Sequence, residues 1–85
     1  MITYIFYTKD SPSETEAKVC ADQLNKQLVK VKAIESNSEE GVELCQLYDI
    51  VAYPGVVIAD DKGVLIQSWQ RQLPSLNEIV FLAHS

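Results

Sequence analysis

Few residues of this chain have types that could carry chemistry: two cysteines, Cys20 and Cys45, one histidine, His84, and a hydroxyl-rich turn at Ser11-Pro12-Ser13. Two thiols and one imidazole fall short of the four ligands a structural zinc site takes, so neither a metal nor another cofactor is expected. Two cysteines are also too few for a disulfide scaffold. A nucleophilic serine needs a general base beside it, and nothing in the pattern brings His84 near Ser11. Ser11 therefore reads as a helix N-cap, worth about 1 kcal/mol. A bridge between Cys20 and Cys45 would close a loop of about 25 residues and contribute roughly 3 kcal/mol in the chain-entropy model. Each cysteine sits instead on the apolar stripe of a predicted helix. There a free cysteine acts as a small hydrophobe with a raised pKa, so both are expected in the core.

The elements that must position these residues follow from pattern and punctuation. "ITYIFYT", Ile2 to Thr8, is apolar or aromatic on both alternating faces, as in a central strand covered on both sides. Ser11, Pro12 and Glu14 spell a capping box with proline at the first helical position. The helix they open carries Ala17, Cys20, Ala21, Leu24 and Leu28 on its buried stripe and runs to about Leu28. "VKVKAIE", Val29 to Glu35, alternates apolar residues with lysine and predicts a strand near a sheet edge. A second helix starts in "SNSEEG", capped by Ser38 or Ser36, with Val42, Cys45 and Tyr48 or Asp49 on its stripe and Leu44 and Leu47 alongside. "PGVVIADDKGVLIQSW" is a hairpin whose loop, Asp60 to Gly63, uses Gly63 for the positive φ. Trp69, near the end of the second hairpin strand, covers the sheet. "LPSLNEIVFLAH" opens on a second capping box, Ser75 and Glu78, and buries Leu76, Ile79, Val80 and Leu82 or Ala83.

Composition bounds the function. Eighty-five residues, 47% hydrophobic, suffice for one domain spanning residues 1–85. Seven Lys or Arg against twelve Asp or Glu give a net charge of −5, which disfavours nucleic acid and anionic membrane as partners. No apolar run reaches a membrane span, and "MITYIFYT" lacks the basic start of a secretory signal, so a cytoplasmic protein is expected, with a monomer as the default state.

The order strand, helix, strand, helix, strand, strand, helix predicts a βαβαββα domain. Its first two strands are parallel, and its hairpin completes a four-stranded mixed sheet with helices on both faces. Over nearly its whole length the chain resembles the thioredoxin and glutaredoxin superfamily, through "YIFYTKDSP" and through "YDIVAYPGVVIADDKGVLIQSW". The resemblance implies a thioredoxin-like three-layer α/β/α sandwich, with Pro54 as the family's cis-proline facing the active-site turn. It also implies that the first two helices lie on opposite faces of the sheet, which would keep Cys20 and Cys45 beyond the Cα separation of about 7 Å that a disulfide tolerates. At that turn the family carries C-x-x-C, because a helix N-terminus stabilises a thiolate. Here the matching residues are Ser11-Pro12-Ser13-Glu14. Serine and glutamate cannot exchange disulfides, so that reaction is excluded at this turn. Two further departures agree: Ile5 stands where thioredoxins keep a buried acid, and "SWQRQLPS" replaces the Gly-Gly and acid of glutaredoxins.

The resemblance therefore implies a thioredoxin fold without its redox pair. The expected function is binding of an extended peptide or partner protein in a groove where Lys9, Asp10, Ser11 and Pro12 face Tyr53 and Pro54. In the family, the residue at the Tyr53 position offers its backbone to such a peptide. The alternatives are a thiol enzyme working through Cys20 or Cys45, and a purely structural or designed minimal domain.

Overall fold

A computed structural model describes residues 1–84. Seven elements follow in the expected order: β1 (Ile2–Tyr7), α1 (Pro12–Lys26), β2 (Val31–Glu35), α2 (Glu39–Leu47), β3 (Gly55–Ala59), β4 (Leu65–Gln70) and α3 (Leu76–Ala83). The strands form one mixed sheet in the order β2-β1-β3-β4. β1 runs parallel to β2 and antiparallel to β3, and β4 folds back antiparallel on β3. This is the α/β/α sandwich the element order predicts. No helix among the described residues is long and apolar enough to cross a membrane.

Adjacent residues of β1 point to opposite faces, so Ile5 and Phe6, both fully buried, anchor two separate cores. Ile5 packs with Ala17, Cys20 and Leu24 of α1 and Ile79 of α3. Phe6 packs with Cys45, Tyr48 and Ile50 on the α2 side. Every residue of β3 is buried, which fits a central strand covered on both faces. Full burial of one such side chain contributes about 1.5–3 kcal/mol, so the two central strands carry much of the stability.

Helix ends depart from expectation. α1 stops at Lys26, not Leu28, and Leu28 is 88% exposed instead of buried. Leu28 adopts φ 62°, its N–H donates to the Asn25 carbonyl, and the Val29 N–H donates to the Leu24 carbonyl. This is a Schellman closure with leucine in the left-handed position that glycine usually takes. It turns Val29 into the core beside Leu24 and delays β2 to Val31. α2 ends in the same way on Asp49, φ 57°, with the Ile50 N–H donating to the Cys45 carbonyl. Ser38, not Ser36, caps α2 by accepting from the Gly41 N–H at 3.0 Å. Val42 and Leu47, expected on or beside the buried stripe, are exposed because nine residues of helix present only Cys45 and its neighbours to the sheet. A side chain at Gly41 would drive its Cβ into the Glu35 carbonyl oxygen, so α2 can lie this close to the end of β2 only with glycine there.

The hairpin and the start of the last helix form as read, while of the stripe expected on α3 only Ile79 is fully buried and Leu76, Val80, Leu82 and Ala83 are partly so. Gly63 takes φ 83° in the hairpin loop, where the Asp60 carboxylate accepts from the Lys62 and Val64 N–H groups. Ser75 caps α3 through the Glu78 N–H, and Trp69 lies partly buried against the Ile5 core.

Candidate functional site

The β1–β3 ladder ends at the pair Phe6 and Gly55. Continuing it would set Pro54 across from Tyr7 and Tyr53 across from Thr8. Pro54 has no N–H to give. The main-chain groups of Thr8 are engaged elsewhere: its N–H donates to Ser13 Oγ at 3.0 Å, and its carbonyl accepts from Ser11 Oγ at 2.6 Å. The sheet therefore opens into a fork between the end of β1 and the residues before β3. Among the described residues, no hydrogen bond reaches the backbone N–H or carbonyl of Tyr53. The Tyr53–Pro54 peptide bond is cis.

Ser11 and Ser13 also meet each other, with their hydroxyl oxygens 2.6 Å apart. The proton count fixes the sense of the bonds. If Ser11 donates to the Thr8 carbonyl, Ser13 must donate to Ser11 while accepting from the Thr8 N–H. Each hydroxyl then donates once and accepts once in a closed ring. Ser11 stands at the N-cap position, but its side chain makes no capping bond to the helix. The expected capping box is displaced by one residue: Glu14 accepts at 2.9 Å from the N–H of Asp10, not of Ser11. The cause is Asp10, whose φ of 60° turns the chain before the helix and points its N–H back at Glu14. Glu14 also pairs with Lys18 at 2.7 Å. The Lys18 ammonium, followed by the Asp10 N–H, holds the carboxyl of Glu14 below the usual glutamate range.

Opposite this ring, the segment before Tyr53 is held by a residue that pattern reading missed. Gln70, the last residue of β4, accepts through Oε1 from the N–H groups of Val51 and Ala52 at 2.9 and 3.1 Å. It donates through Nε2 to the Asp49 carbonyl at 3.1 Å. Only the pairing of Gly55 with Gln70 places it there, and no local motif announces that register.

Between the two sides lies a groove of about 580 Å³. Of the six residues expected to form it, Ser11, Pro12, Tyr53 and Pro54 line it together; Lys9 and Asp10 are exposed and do not. Arg71, which sequence reading passed over, lines it as well.

No thiol lines this groove. Cys20 and Cys45 are free, 7% and 8% exposed, and belong to the two cores on opposite faces of the sheet. Burial pushes both thiols above the ordinary cysteine range. Cys45 additionally accepts from the Tyr53 hydroxyl at 3.7 Å, so the Tyr53 ring reaches toward the α2-side core while the residue also lines the groove. His84 lies by the Gln27 carbonyl at 3.1 Å, past the C-terminal end of α1. A helix of fifteen residues spans about 22 Å, which leaves Ser11 without a histidine base. Among the described residues, no group of three or more His, Cys, Asp or Glu side chains is placed to hold a metal ion.

No protein-family model and no curated protein matches the sequence. Among solved structures, thioredoxin 1 of the thermophilic eubacterium Thermosipho africanus TCF52B is similar, with a TM-score of 0.61 at 15% identity. The likeness covers 95% of this chain and 88% of that one. Strand order, the two-faced core and this likeness make the chain a domain of thioredoxin-like fold, one whose sequence holds no C-x-x-C motif.

Proposed function

We propose that the chain is a non-catalytic binding domain that takes an extended segment of a peptide or partner protein into the groove between Ser11 and Tyr53. The observation that carries this reading is the unpaired main chain of Tyr53 at an open groove. A free donor and a free acceptor on one residue are what a strand-like ligand needs for two antiparallel hydrogen bonds. The Gln70 clamp supports the reading, because a binding segment fixed before the ligand arrives loses less entropy on association. The ring of Ser11, Ser13 and Thr8 supports the non-catalytic half: both hydroxyls are occupied with their own turn and neither has a base. The net charge of −5 disfavours nucleic acid and anionic lipid as the occupant.

The experiment has two arms. In an insulin-reduction assay with dithiothreitol, the protein should add nothing to the background rate. Native-state alkylation of Cys20 and Cys45 should be slow and should become fast in denaturant, because buried, protonated thiols react only on opening. On addition of extended peptides, amide NMR shifts should concentrate at Thr8 to Ser13 and at Ala52 to Gly55. Shifts confined to the hairpin end of the sheet would refute the groove, and rapid native alkylation with insulin turnover would refute the non-catalytic reading.

A further inference from the structure

Arg71 is the chain's only arginine, and it lines the groove. Its position follows from register. Gln70, the last residue of β4, pairs with Gly55, so Arg71 follows just past the end of that strand, level with Pro54. Its side chain is exposed and makes no ion pair or hydrogen bond among the described residues, whereas Lys18, Lys26 and Lys32 each pair with a carboxylate. The groove's one carboxylate, Glu16, forms no ion pair with it. Arg71 also adopts φ 73°. Glycine takes that conformation without cost and arginine does not, so backbone preference alone does not account for arginine here. Non-glycine residues in the left-handed region concentrate at ligand-binding sites. A guanidinium presents a planar fork of donors that matches a carboxylate bidentately.

We infer that Arg71 forms an anion subsite beside Pro54, so that the groove selects an extended peptide carrying an Asp or Glu side chain at the position that lies against Arg71. This rests on the groove being the binding surface. The peptide's main chain pairs with Tyr53, and its carboxylate meets the guanidinium at the β4 side of the groove.

The test uses N-acetylated, C-amidated heptapeptides of alternating Val and Ser, so that no terminal carboxylate competes. A single Glu, Gln or Lys is walked through the seven positions. Binding is followed by amide shifts at Thr8 and Tyr53. At one register the Glu peptide should bind roughly three- to tenfold tighter than its Gln isostere, the range expected for a partly exposed charge-assisted bond. That preference should shrink as salt is raised, vanish in both Arg71→Gln and Arg71→Gly, and pass to the Lys peptide in Arg71→Glu. A free C-terminal carboxylate on the Gln peptide should not reproduce it; equal tightening there would overturn the side-chain assignment. Peptides that shift Thr8 and Tyr53 with equal affinity for Glu and Gln would overturn the subsite and leave the groove standing. If no peptide shifts those amides, the groove reading falls and the subsite falls with it.

Discussion

At the scale of single residues, Ser13 matters more to the corner than Ser11 does. Ser11 Oγ is partly accessible and bonds to a carbonyl that water could serve equally well, so its loss costs little. Ser13 is 8% exposed and is the acceptor for the Thr8 N–H, which the sheet ladder has abandoned. Removing a buried partner leaves the donor with its full desolvation cost, about 1–3 kcal/mol, where a satisfied and replaceable bond is worth about 1. Ser13→Ala should therefore lower stability by about 1–3 kcal/mol in urea titration, and Ser11→Ala by less than half as much. Equal losses, or a larger loss at Ser11, would show that the ring does not hold the turn as described. Arginine in the left-handed region has the opposite sign. Arg71→Gly should raise stability by up to about 1 kcal/mol while erasing any preference for acidic peptides, a combination that a structural residue would not give.

At the scale of elements, starts were readable in the sequence and ends were not. Ser75 caps α3 as read and Ser38, one of two candidates, caps α2, because N-capping is a local bond between a short side chain and an N–H two or three residues on; Ser11 marks the start of α1 without making that bond. The ends of α1 and α2 close on Leu28 and Asp49 in the left-handed conformation. Glycine, the residue that signals such a closure, is at neither position. Tertiary packing selects both: each closure turns the next residue, Val29 or Ile50, into a core. The same division holds at the site. Tyr53 and Pro54 stand out through their resemblance to a known segment. Gln70 and Arg71 reach the groove only through the register of β4, which no short stretch of sequence encodes. Leu28→Gly tests the account of α1. The left-handed region costs leucine about 1–2 kcal/mol that glycine does not incur, partly offset by glycine's greater freedom in the unfolded chain. Because Leu28 is 88% exposed, little packing is lost. A net gain of about 0.5–1 kcal/mol in the urea midpoint is expected; a loss would mean that the leucine side chain has a role the exposed geometry does not reveal.

At the scale of the whole molecule, the two edges of the sheet are treated differently. β2 carries Lys32, which reaches across to Glu40 at 2.8 Å, and Lys30 precedes it. Charge on an edge discourages a second chain from adding to it. β4, "LIQSWQ", carries no charge, and Val64, Leu65 and Ile66 beside the hairpin loop are 59%, 44% and 40% exposed. Its one safeguard is a bulge: the pairing slips between Ile58 with Gln67 and Ala59 with Leu65, leaving Ile66 unpaired. Short apolar stretches of high β-propensity and no charge pair with their own kind when an edge is open. Concentrated or warmed protein should therefore associate first through β4. Since Ile66 has no ladder partner and is already exposed, Ile66→Lys should change stability by less than about 0.5 kcal/mol. It should nevertheless raise the temperature at which light scattering begins. Lys32→Val, which removes the mid-strand charge from the opposite edge, should lower that temperature. Scattering onsets that track the unfolding midpoint in all three proteins would assign the association to the unfolded chain and not to the native edge.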